Sequence, residues 1–228
     1  MKSRAAASVE RCADELYGRL CKAVEVQGRI RVEDLISTTA SIVGEATIAA
    51  AGDFDPRQHK MAPGAWVFSD NVNRLICGDR ALAEAPADSI AGLLRDRLLH
   101  CGFNPKDFPV LEDVYRHFAA HVGDKADWGK VPLSVPQANL PSLMPLQAAY
   151  QTRALVDEVL APLGGDRTQR LTATTLTLAQ VLCRTKAAIV SWIATTLALE
   201  TVNGMAKMAP MTEQVMARLI EEQQTKTR

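Results

Sequence analysis

The sequence predicts a mainly α-helical protein: a multi-helix bundle with a long buried helix near the C-terminus and at most a small β-hairpin. Three observations carry that expectation. Apolar residues recur at spacings of three and four along most of the chain, with glycines and prolines closing each run. The segment 171–199 is apolar on most sides and holds only two charges, Arg184 and Lys186. Strand-like patterning is confined to two tetrapeptides, 29–32 and 65–68.

Taken in order, Ser8 precedes Val9, Cys12, Leu16, Leu20 and Val24, a helical stripe that ends at Gly28. A second helix is expected over 32–51, with Leu35, Ile36, Ala40, Val43 and Ile48 inside and Gly52 as terminator. Residues 52–64 form a loop rich in breakers. It carries Asp53, Asp55, Arg57 and His59, which read as solvated loop charges, because the glycine and final glutamate of a calcium loop are missing. Residues 65–68 are the best strand. Ser69 or Asp70 caps a short helix over 71–77, closed by Gly78.

Pro86 and Asp88 announce a helix holding Ile90, Leu93, Leu94 and Leu98, which stops at Gly102. Asp107 and Pro109 announce another over 110–122. Residues 123–141 carry three prolines and Trp128, a connection long enough to be functional or flexible. The chain reads as one helical domain, 1–228, with this segment as the place where lobes 1–122 and 142–228 would be joined. Ser142 and Pro145 start a helix through Leu160. Asp166 with Gln169 resembles a capping box and opens the long helix, 167–202, broken at most once. Thr212 caps a final amphipathic helix over 211–223.

On the long helix, Leu178, Leu182, Ile189 and Ile193 fall within roughly 40° of Leu171 at about 100° per residue. Other apolar residues flank them on both sides, so neighbours must cover this helix from several directions, within the fold or across an oligomer interface. Its threonines are expected to satisfy themselves on the carbonyl three or four residues back. Lys186 falls near the apolar stripe. Its amine is expected to reach the surface or to pair with Asp157, Glu158 or Glu200, and the functional alternative is a cation facing an anionic ligand.

The charge balance excludes little but weights much. Lys plus Arg and Asp plus Glu are 26 each, so the basic excess that holds a nucleic-acid backbone is absent. No nucleic-acid partner is therefore expected; a helix-turn-helix built on 32–51 beside Arg29 and Arg31 is the alternative, and no second short basic helix accompanies it. No run of about 20 apolar residues predicts a membrane span, and acids interrupt any leader-like stretch near the N-terminus. The cysteines at 12, 21, 77, 101 and 183 are odd in number and form no CxxC pair. They read as small buried hydrophobes in a reducing cytoplasm rather than a disulfide framework or zinc site.

The sharpest motif is Asp113, His117 and His121 at i, i+4 and i+8, which places all three along one edge of a helix. Two histidines four apart can reach one metal ion, with the carboxylate as a third ligand, but the HExxH pattern is not met. His100-Cys101 ends a helix, where the imidazole suits the C-terminal dipole. GxSxG, GxGxxG and phosphate-loop motifs are absent. The sequence names no cofactor. The function it predicts is protein–protein contact by a cytoplasmic homo-oligomer, with a small-ligand or metal-dependent site between helices as the alternative.

Overall fold

The computed structural model describes residues 2–52, 61–62, 64–78, 86, 88–123 and 130–213. Eight α-helices run through them: α1 (Lys2–Ala23), α2 (Val32–Ala51), α3 (Asp70–Cys77), α4 (Ile90–His100), α5 (Leu111–His121), α6 (Pro145–Leu160), α7 (Arg167–Thr185) and α8 (Ser191–Met205). The helical bundle is as expected. The β-structure reduces to two isolated antiparallel bridges among the described residues. One closes the tight turn Val26–Arg29, where Gln27 and Gly28 take φ of 52° and 75°. The other joins Trp66 to Met208 beyond the end of α8, with Val67 N–H donating to the Lys207 carbonyl at 2.7 Å.

The local signals work as chemistry predicts. Gly52 closes α2 with φ 73°. Ser69 caps α3, its hydroxyl accepting from Val72 N–H at 3.2 Å. Asp166 caps α7, accepting from Gln169 N–H at 3.0 Å, while the Gln169 amide returns to the same carboxylate at 2.6 Å. For α4 the cap is Ser89, not Asp88: its hydroxyl accepts from Gly92 N–H at 3.1 Å.

α2 is central. It is buried without a break from 35 to 44, and it packs against α1, α3, α6, α7 and α8. Each fully buried Leu or Ile there is worth about 2 kcal/mol of transfer free energy. Where α2 crosses α8, Gly44 lets the backbones meet: a Cβ there would lie 2.4 Å from the Met205 Cβ and 2.9 Å from the Ala206 nitrogen. Helices on both sides of the Pro-rich segment share this core. The described part of that segment lies against it, with Val131 and Val135 buried and Asn139 donating to Glu33 at 2.8 Å.

One expectation is sharpened and one corrected. The helix expected over 167–202 ends at Thr185 and resumes at Ser191. No glycine or proline marks the break. Long-range ties make it: Cys183 is bonded to Cys101 at the end of α4, with Cα atoms 5.8 Å apart. Lys186 Nζ donates to the Cys101 carbonyl at 3.3 Å and also to the Gly102 carbonyl, 5.3 Å from the centre of the Phe103 ring. This disulfide also overturns the reading of all five cysteines as inert thiols. Cys12 and Cys77 are buried and Cys21 is half-buried, all three free.

The threonines behave as expected. Thr174 and Thr175 return to the Leu171 carbonyl and Thr177 to that of Ala173, at 2.8–2.9 Å. Among the described residues no helix is long and apolar enough to cross a membrane. The loop acids and His59, Trp128, and most of the expected helix 211–223 lie outside the described residues.

Candidate functional site

α5 and α8 lie side by side, and between them opens a cleft of about 460 Å³. Helical spacing builds both walls. Val110, Asp113, Val114 and His117 recur at three and four along the α5 side, and Trp192, Thr196 and Glu200 recur at four along α8. The 3-10 turn Pro105–Asp107 and the two residues after it add Lys106, Phe108 and Pro109. Thr195 anchors that turn to α8 by donating to the Asp107 carbonyl. Ser134, from the Pro-rich segment, completes the lining.

The walls are mostly apolar and partly open, with Val110 58% and Trp192 47% exposed. The deepest acid is Glu200, only 4% exposed. One carboxylate oxygen accepts from Ser134 N–H at 2.7 Å and the other from the Ser134 hydroxyl at 2.5 Å. Among the described residues those are its partners, and no cation lies within ion-pair reach of it.

The structure places the candidates from the sequence as follows. His117 lines the cleft, and its buried Nε2 has no protein partner. Asp113 is at the rim, where Arg116 donates to it at 2.6 Å. His121 turns back, Nδ1–H donating to the His117 carbonyl at 2.8 Å, and the two imidazoles lie tilted at 40° with centroids 4.4 Å apart. No group of three or more His, Cys, Asp and Glu side chains is gathered for a metal ion among the described residues. Arg116 has taken Asp113, and the tilted rings leave the three without a common focus. Lys186 does not line the cleft. It stabilises the C-terminal end of α4, as a cation does at exposed helix carbonyls. The acids expected as its partners are taken elsewhere: Asp157 by Arg170 at 2.5 Å, Glu158 by Arg19 at 2.7 Å, and Glu200 by Ser134.

Behind α5 lies a second polar cluster. Lys207 is buried, donates to Asn203 Oδ1 at 2.6 Å, and sits 4.0 Å from the Tyr115 ring centre and 5.1 Å from that of Phe118. Burial pulls its pKa down to about 8, with the nearby Cys77 acting weakly in the opposite sense. Burial raises the Tyr115 hydroxyl, and Cys77, 3.7 Å away, adds to the effect. This cluster lines no part of the cleft.

Glu200, Ser134 and the cluster around Lys207 escaped the sequence reading. One signal was available: Glu200 is the sole acid between Asp166 and Glu213, in an otherwise apolar stretch. These features define a helical protein with a ligand-sized cleft between two helices. No protein family, curated protein or solved structure matches the chain.

Proposed function

We propose that this protein binds a small organic molecule in the cleft between α5 and α8. The observation that carries the reading is the cleft itself. Its volume falls within the range of about 300–1,000 Å³ typical of ligand sites. Its lining joins the apolar Phe108, Val110, Val114 and Trp192 to the polar Lys106, Asp113, His117, Ser134, Thr196 and Glu200. A thermal-shift screen of small molecules against the full chain and Trp192→Ala tests this. Compounds that stabilise the wild type and lose that effect in the variant support the cleft. A screen without stabilising compounds, or with shifts indifferent to Trp192→Ala, removes it.

A second reading, contact with another copy of the chain, is favoured by Val110, Val190 and Trp192, all exposed apolar side chains near the cleft mouth. The broad apolar surface of the long segment no longer argues for it, since α7 and α8 are covered within one chain. Light scattering decides: a dimer that Trp192→Asp dissociates supports self-association, and a wild-type monomer rejects it. Cytoplasmic residence is part of the proposal in its finer form. The Cys101–Cys183 bond weighs against it, because disulfides are rare in a reducing cytoplasm; cell fractionation tests it, with recovery in the cytoplasmic fraction supporting it and recovery from an oxidising compartment rejecting it.

A further inference from the structure

We propose that the ligand of this cleft is an organic cation, an ammonium or amidinium group paired with Glu200 and carried on a flat apolar body against Trp192. The inference rests on the cleft being a binding site and adds the chemistry of what enters it.

The argument starts from the cost of burying charge. A carboxylate removed from water needs hydrogen bonds and a counter-charge. Elsewhere in this molecule that rule is kept at sites less buried than Glu200. Glu45 has Arg153 at 2.9 Å, and Glu33 has Arg31 at 3.5 Å. Their side chains are 18% and 15% exposed, whereas Glu200 as a residue is 4% exposed and has Ser134 alone. Ser134 gives one donor to each oxygen, which fixes the carboxylate plane and leaves further acceptor capacity on both. Among the described residues no cation pairs with this positioned carboxylate, and Glu200 is one of the residues that line the cleft.

The other walls agree with a cationic guest. An ammonium bound to Glu200 would place its apolar body along Val110, Val114 and Trp192, and indole is the best of the aromatic faces for a cation. An anionic guest would meet Glu200 and Asp113 together, with Lys106 the one lining side chain of opposite sign.

Isothermal titration of the full chain at neutral pH with benzylamine, benzyl alcohol and benzoate tests the charge preference. Benzylamine, an ammonium at that pH, is expected to bind at least tenfold more tightly than the isosteric alcohol, and benzoate weakest. Glu200→Gln is expected to erase the preference while keeping the Ser134 contacts. If that variant does not fold, the charge ranking on the wild type and its loss in Trp192→Ala decide alone. Equal binding of all three probes that still depends on Trp192 overturns the cation and leaves the cleft reading standing. No binding by any of the three overturns both.

Discussion

In α2 and α7 the buried hydroxyls stay on their own helix. Thr39, Ser41 and Thr47 donate to the carbonyls of Leu35, Ser37 and Val43, and Thr174, Thr175 and Thr177 do the same in α7, all within 2.7–2.9 Å. Between α5 and α8 the polar groups depend on distant chain. Glu200 relies on Ser134, while Thr195 adds the Asp107 carbonyl to those of its own helix, and Lys207 adds two rings of α5 to the Asn203 amide. Among the described residues that side also holds four buried polar atoms without a protein partner, Trp66 Nε1, His117 Nε2, Thr201 Oγ1 and Asn203 Nδ2, against Ser37 Oγ and Gln180 Oε1 in the first region. Both regions are polar and buried. The first is largely satisfied once its helices form, with Ser37 Oγ and Gln180 Oε1 left over and Thr177 also reaching the Ala13 carbonyl at 3.3 Å. The second is satisfied only when several segments meet, and it retains capacity for something more.

The largest expected effect comes from the bond that ties α7 to the end of α4. Cys101 and Cys183 are 82 residues apart, and a loop of that size predicts about 4 kcal/mol of stabilisation from closure. Urea unfolding with and without reductant measures it. Loss of hydrogen-exchange protection in α5 and α8 alone would show that the regions open separately.

Next comes the crossing of α2 and α8. Gly44→Ala forces a methyl against the Met205 Cβ and the Ala206 backbone, and about 3 kcal/mol of lost stability is expected by denaturant titration. A neutral result would mean that α8 can move away from α2.

The third expectation uses Lys207. Its folded pKa is about 8 against an ordinary 10.5, so the unfolded chain holds this proton to higher pH. Stability from this group is therefore lowest below pH 8 and rises through the window from 8 to 10.5. Relative to Lys207→Met, the wild type should gain about 2 kcal/mol between roughly pH 7 and pH 10. A flat difference would show that the cluster keeps its ammonium charged.

The smallest effect separates the regions most directly. Thr175→Val removes a self-satisfied hydroxyl and should cost about 0.5 kcal/mol. Thr201→Val removes an unpartnered one and should stabilise by about 1 kcal/mol. Thermal melts of the two variants, shifting in opposite directions, would confirm the contrast. Shifts of the same sign would erase it.

The first region was legible in the sequence and the second was not, for one physical reason. α2 and α7 are specified by periodicity, by Gly52, and by the Asp166–Gln169 pair, all local signals. The break after Thr185 depends on Cys101 and Gly102, far away in sequence, while Ala187 and Ala188 are themselves good helix formers. The site divides in the same way. His117 stood out by its spacing from His121, and it does line the cleft. The Asp113–His117–His121 edge dissolves because Arg116, one turn along, competes for the carboxylate at 2.6 Å. Glu200 becomes notable only once Ser134 is seen to be its sole partner type, a fact about two segments rather than either one.

The Cys101–Cys183 bond also makes the polypeptide a ring with two tails. α5, α6 and nearly all of α7 lie inside the covalent circle, while α1 to α4 hang from one side and α8 from the other. A single peptide bond cut anywhere between the two cysteines opens the ring without releasing a fragment. The nicked protein should migrate as one species on a non-reducing gel and as two after reduction. A cut in a tail should give two species under both conditions. The wall of the cleft that α5 supplies would survive such a nick still chained to the wall that α8 supplies.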